Sequence, residues 1–193
     1  MLNSLVKIGK DKNYFIYKRI GDFDNALQEG YHHINTHAIQ FDKTKEKIAS
    51  DFGQNCLKSC DALDILPRKD RINFIEFKQI KDNNQVREWI QEELSLPQKI
   101  KDSHEILLII LRQSFFSGFP NRIKNFQKVE KNFIISLDLL TNHKNQTLIY
   151  LKLLKIKSLI NKEFKNNFIQ GESFNKPKYI KMNEFDLVYP SFI

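Results

Sequence analysis

At 193 residues, with 41% hydrophobic content and 16 Phe, the chain is long enough to enclose a hydrophobic core in one domain spanning 1–193, and its composition excludes a disordered polar tract. Two cysteines, Cys56 and Cys60, are too few for a disulfide framework or a four-cysteine zinc site, and the longest apolar run, Ile106 to Leu111, is too short to cross a bilayer. The net charge of +8 lies wholly in the second half, since residues 1–96 carry 15 Lys or Arg against 15 Asp or Glu and residues 97–193 carry 16 against 8.

No apolar leader-like stretch is read at the start, so a reducing, cytoplasmic setting without a membrane is expected. The segment Tyr14 to Ile20 alternates as a strand, and Gly21, Asp22 and Asp24 turn it. His32, His33 and His37 have no patterned acid beside them, which favours surface or satisfied positions over a metal cluster. From Thr36 to Phe52 the positions Ile39, Ile48 and Phe52 suggest an amphipathic helix closed by Gly53.

Residues 60–66 and 72–79 are short apolar runs separated by PRKDR and read as a β-hairpin, so the motif occupies 60–79. Asn83 and Asn84 can cap a helix whose apolar face holds Val86, Trp89, Ile90 and Leu94, ending before Pro97. A deeply buried helix is expected over Asp102 to Phe116, then a break at Gly118 and Pro120 and a strand from Lys128 to Leu140. Phe115, Phe116 and Phe119 could stack on bases, but their place beside a buried helix favours packing.

A third helix is expected over Thr147 to Phe164, and the aromatic tail from Pro177 to Ile193 is read as an edge strand or a surface segment. The second half, 97–193, thus reads as a basic, mainly helical region. Its lysines 144, 152, 155, 157, 162 and 165 form either a phosphate track or a solvated helix face.

The stretch CDALDILPRKDRINFIEFKQ sets charges inside strands that otherwise want burial, which is costly unless the charges are used. Alternation turns Glu76 and Lys78 to one face and Ile75 and Phe77 to the other. A turn near Arg68 and Lys69 would set Asp61 opposite Glu76, at a Cβ separation of roughly 5 Å suited to one divalent cation. Asp64 falls on the opposite face from Asp61, and only a register slip or bulge would exchange them.

An aspartate entering an apolar strand, a hairpin, then Glu-x-Lys resembles the PD-(D/E)XK, or restriction-endonuclease-like, nuclease superfamily. The match covers residues 56–79, with Cys60 standing where the motif's proline would be. The resemblance implies an α/β fold, a restriction-endonuclease-like core with a central mixed β-sheet flanked by α-helices. It implies Mg²⁺, for which Mn²⁺ can substitute, held by Asp61, Glu76 and the backbone carbonyl of Phe77. Lys78 would orient the attacking water, leaving a 5′-phosphate and a 3′-hydroxyl.

The expected partner is nucleic acid, DNA ahead of RNA, in an endo- or exonuclease compatible with bacterial or phage defence and with a partner subunit or self-association. Members often add a glutamate from the preceding helix, for which Glu46 is the candidate, although a solvent-facing charge is its plainer reading. Gln79 points away from Glu76 by alternation. The rival reading is a catalytically inactive subunit of the same fold that binds nucleic acid or protein.

Overall fold

The run Arg71–Ile80 is apolar on both of its alternating faces, and such a strand is satisfied only by burial on both sides of a sheet. The computed structural model has that arrangement. It describes residues 1–28, 30–53, 57–80, 96–119, 121–139, 175 and 178–192, with 154 and 158 as isolated helical positions. The helix expected at 83–94, the one expected at 147–164 apart from positions 154 and 158, and with them Trp89, Cys56 and the six lysines of the basic cluster, lie outside the described residues.

In chain order the elements are α1 (Leu2–Asp11), β1 (Tyr17–Arg19), β2 (His37–Gln40), α2 (Phe41–Phe52), β3 (Ala62–Leu66), β4 (Arg71–Ile80), α3 (Leu96–Arg112), α4 (Arg122–Lys128), β5 (Glu130–Leu139), β6 (Lys178–Lys181) and α5 (Phe185–Val188). The strands form one mixed sheet of six, in sequence order. β1 to β4 are antiparallel neighbours, whereas β5 runs parallel to β4 and β6 parallel to β5. The protein is therefore α/β, with helices flanking a mixed sheet. Among the described residues no helix is long and apolar enough to cross a membrane.

Two apolar layers cover the sheet. On one face Leu63, Ile72, Phe74, Phe133 and Ile135 pack with Leu5 of α1, Phe41 and Ile48 of α2, and Ile106, Leu107, Ile110 and Leu111 of α3. On the other, Ala62, Ile75, Phe77 and Ile134 pack with Tyr31, Met182, Phe185 and Tyr189. Phe77 stacks on Tyr31 at 4.5 Å between ring centroids.

Several expectations shift. The segment His37–Gln40 is strand rather than the first turn of a helix, because it is gripped by β1 on one side and β3 on the other, and α2 begins at Phe41. Gly53 does close α2, in the left-handed region at φ 69° with its N–H on the Ala49 carbonyl. The strand expected from Tyr14 shortens to Tyr17–Arg19.

α3 starts at Leu96, since Pro97 is tolerated in a first helical turn that lacks N–H acceptors anyway, and it ends at Arg112. The strand expected from Lys128 is β5, and the aromatic tail supplies β6, Lys178–Lys181. α1 was not foreseen; its Gly9 allows close approach, because a Cβ there would collide with the Phe15 ring.

The second face carries a buried polar chain. Tyr189 Oη donates to Asp64 Oδ2 at 2.7 Å and accepts from Asn73 Nδ2 at 3.0 Å. Asn132 Nδ2 donates to Asn73 Oδ1 at 2.9 Å, and Asn175 Nδ2 to Asn132 Oδ1 at 2.8 Å. Register makes this chain, since Asp64, Asn73 and Asn132 stand level on three adjacent strands.

Burial raises the Asp64 carboxyl above its ordinary value, which the Tyr189 hydrogen bond only partly offsets. An acid raised in the folded state contributes most below its unfolded pKa, and stability is lost as pH rises toward the folded value. Asp64→Asn keeps the acceptor for Tyr189 and removes that loss. Relative to wild type, the variant is therefore expected to gain stability as pH rises above about 4, measured by urea denaturation from acid to neutral pH. A difference that stays flat with pH would refute this.

Asp186 ties the C-terminal segment to the 35–36 turn. It accepts from the Asn35 and Thr36 N–H groups at 2.7 and 2.8 Å, from Thr36 Oγ1 at 2.7 Å and from Asn35 Nδ2 at 3.2 Å. Partial burial opposes its charge, but these donors outweigh it and hold the carboxyl below its usual range. A depressed acid stabilises above its unfolded pKa and loses that contribution as pH falls through the folded value. Asp186→Ala is expected to cost about 1–2 kcal/mol at neutral pH, discounted for exposure, with the cost shrinking below about pH 4. Chemical denaturation at both pH values checks it.

Candidate active site

Alternation along β4 puts Glu76 and Lys78 on the face of Ile72 and Phe74, and Ile75 and Phe77 on the other. Ala62 pairs with Ile75 across the hairpin, so Asp61, one step earlier, stands level with Glu76. The turn at Pro67–Lys69, with Asp70 at φ 48°, fixes that register. Asp61, Glu76 and Lys78 thus converge, while Asp64 is turned to the opposite layer beside Tyr189.

Asp61 is placed by backbone. Its Oδ2 accepts the Phe77 N–H at 2.7 Å, and its own carbonyl accepts the Phe41 N–H at 3.1 Å where α2 begins. In an extended strand the N–H and C=O of one residue point to the same neighbour, so the Phe77 carbonyl faces the Asp61 side as well. β3 pairing stops at Ala62, which leaves that edge to the Asp61 side chain.

A second lysine enters from α3. Lys99 Nζ lies 2.6 Å from Glu76 Oε1, whereas Lys78 Nζ is 3.9 Å from the same oxygen. The Lys99 position follows from helical spacing. One turn on, Asp102 accepts the Lys58 N–H at 2.9 Å and the Gln98 amide at 2.6 Å, and Ser103 Oγ accepts the Cys60 N–H at 2.9 Å. Asp102 and Ser103 therefore clamp the 58–60 segment that delivers Asp61, one turn after Lys99 meets Glu76.

Burial raises the Asp61 carboxyl well above the ordinary aspartate value, and the adjacent Glu76 charge raises it further. Burial also opposes the Lys99 charge, but Glu76 and Asp61 outweigh it and hold the ammonium above its usual value. The Cys60 thiol is pushed up by burial and by Glu76, so it is an inert apolar group in the core. Accessibility grades along the site: the Glu76 side chain is 0% exposed, Lys99 15% and Lys78 22%. The lysines are its open side.

Two carboxylates and a strand carbonyl are hard oxygen donors of the kind Mg²⁺ takes, with water or substrate oxygens completing six. Lys99 already sets a cation against Glu76 Oε1, so positive charge is accepted at that point. The residues fit a divalent ion. Among the described residues no group of three or more His, Cys, Asp or Glu gathers, so protein side chains would supply two charged ligands.

Other candidates go elsewhere. Glu46 faces solvent, 3.0 Å from Lys43. Gln79 turns to the second face, 3.3 Å from Asp138. His33 reaches the Met182 carbonyl at 3.3 Å, His32 rests edge-on against it, and Phe115 and Phe116 pack against the first core.

Lys99 is the residue the sequence reading passed over. Its signal was available: polar residues at 99, 102 and 103 recur at helical spacing once Pro97 is read as a helix start rather than a stop. No family model, curated protein or solved structure matches the chain.

Proposed function

We propose that this chain is a metal-dependent nuclease with a PD-(D/E)XK-type, restriction-endonuclease-like core. The observation that carries the reading is the convergence of Asp61, Glu76 and Lys78 on one sheet face at the hairpin's end, with Lys78 on the accessible side. A bound Mg²⁺, or Mn²⁺ in its place, would supply an acidified water and neutralise charge on the phosphate.

Asp61 and Glu76 would hold that ion with the Phe77 carbonyl, and the Phe77 N–H keeps Asp61 in one rotamer. Lys78 Nζ donates to the attacking water and favours its hydroxide form. The water gives a proton to solvent, its oxygen joins phosphorus as the P–O3′ bond breaks, and the 3′-oxygen takes a proton from solvent, so the products would carry a 5′-phosphate and a 3′-hydroxyl. The excess positive charge of residues 97–193 suits a phosphate backbone, and DNA is preferred to RNA as substrate. A cytoplasmic role in bacterial or phage defence is consistent with a small enzyme of this kind.

Incubation of the full chain with linear DNA, circular DNA and RNA, in Mg²⁺ or in chelator, tests the reading. Cleavage is expected only with metal, and Glu76→Gln is expected to lower it by at least about 10²-fold. One observation favours a second reading, a non-cutting subunit of the same fold: Glu76 is already closed into an ion pair with Lys99. Salt-sensitive binding of nucleic acid without metal-dependent cleavage would establish that alternative instead.

A further inference from the structure

Glu76 Oε1 has a resident cation. Lys99 Nζ stands 2.6 Å from it, with Lys78 Nζ at 3.9 Å on the same oxygen. Even with both Asp61 and Glu76 ionised, these four side chains sum to zero charge. A divalent ion approaching that set meets no net attraction, and it meets the Lys99 ammonium at the oxygen it must take. Removing Lys99 from the pocket leaves a single negative charge and frees the oxygen.

Lys99 also has room to leave. It sits in the first turn of α3, on an unbranched stem, and its side chain is partly exposed, while Glu76 is fixed in mid-strand and fully buried. The movable partner of the pair is the lysine. Asp102 and Ser103 anchor the next turn to the 58–60 segment, so the side chain can swing without the helix moving.

We propose that Lys99 is a built-in competitor for the metal position: it holds Glu76 Oε1 when no divalent ion is present, and it must swing toward solvent for one to bind. This rests on the metal-dependent reading above. Its consequence is a weak affinity for metal alone. The departing ammonium lands on the open side with Lys78, where a phosphate backbone would receive it, so metal and nucleic acid should bind with positive coupling.

The first measurement is Mn²⁺ binding by the full chain without nucleic acid, followed by electron paramagnetic resonance, for wild type, Lys99→Gln, Lys99→Arg and Glu76→Gln. Lys99→Gln is expected to bind at least about tenfold more tightly than wild type, because one competing charge is gone. Lys99→Arg should stay at or below wild type. Binding that is lost in Glu76→Gln yet unchanged in Lys99→Gln overturns the competitor role and leaves the metal centre standing. Binding that ignores Glu76 in every variant overturns the metal centre, and this proposal with it.

A second measurement needs no variant. Acetic anhydride labelling of the wild-type chain, read by mass spectrometry, should modify Lys99 several-fold faster when Mg²⁺ is added. Labelling of Lys99 that does not rise with Mg²⁺ overturns the proposal even if Lys99→Gln fails to fold.

Discussion

Lys78→Ala is expected to lower the rate of metal-dependent cleavage by about 10²- to 10³-fold, the loss typical of removing one preorganised electrostatic group from a reacting centre. The same change should move the unfolding free energy by less than about 0.5 kcal/mol, because its ion pair is long and partly solvated. At 3.9 Å from Glu76 Oε1 and 22% exposed, Lys78 is not what holds the carboxylate in place. Its value to the protein would lie in what it does to a bound water. Lys78→Arg should fall between, since it keeps the charge but not the compact ammonium. Single-turnover cleavage and urea denaturation on the same preparations separate the two effects. Parallel losses of rate and stability in Lys78→Ala would mean that the residue is structural.

The Glu76 and Lys99 pair should show the opposite balance. Lys99→Leu is expected to cost about 3–5 kcal/mol of stability at neutral pH, because it strands a fully buried carboxylate without its nearest cation. Glu76→Leu should cost a similar amount by stranding the lysine, although Lys99 can partly escape to solvent. The double variant should be far closer to wild type than the sum of the two, since an apolar pair in the same volume carries no desolvation penalty. A double-mutant cycle by urea denaturation measures this coupling. Additive losses would show that the 2.6 Å contact contributes little and that other neighbours hold Glu76.

The hairpin and its two faces were legible because they are local. Alternation in INFIEFKQ separates Glu76 and Lys78 from Ile75 and Phe77, and the turn after Leu66 sets Asp61 level with Glu76 without help from the rest of the chain. What lay outside such windows was not. His37–Gln40 has no strong strand pattern, and it is extended because β1 and β3 flank it, so tertiary pairing overrides the helical periodicity read through it.

The parallel ladder of β4 with β5 joins residues about sixty positions apart, and no turn signal announces it. Lys99 was missed for a related reason. The Leu96–Pro97 pair read as the end of one helix, whereas it opens α3, and that difference moves a lysine from a connecting loop to the edge of the carboxylate pair. The sense in which Asp64 avoids the site was legible from alternation, but its partner Tyr189, 125 residues away, was not.

That distance has a bearing on how the polypeptide is made. Asp64 and Asn73 wait for a phenol that is added 125 and 116 residues later. At a ribosomal pace of about 5–20 residues per second, roughly 5 to 22 s separate the end of β4 at Ile80 from the addition of that hydroxyl. Through that interval one side of the ribbon presents the Asn73 amide and the Asp64 carboxylate where a dry layer later closes. Until Tyr189 is added, Asp64 and Asn73 keep water as their partner in place of its hydroxyl.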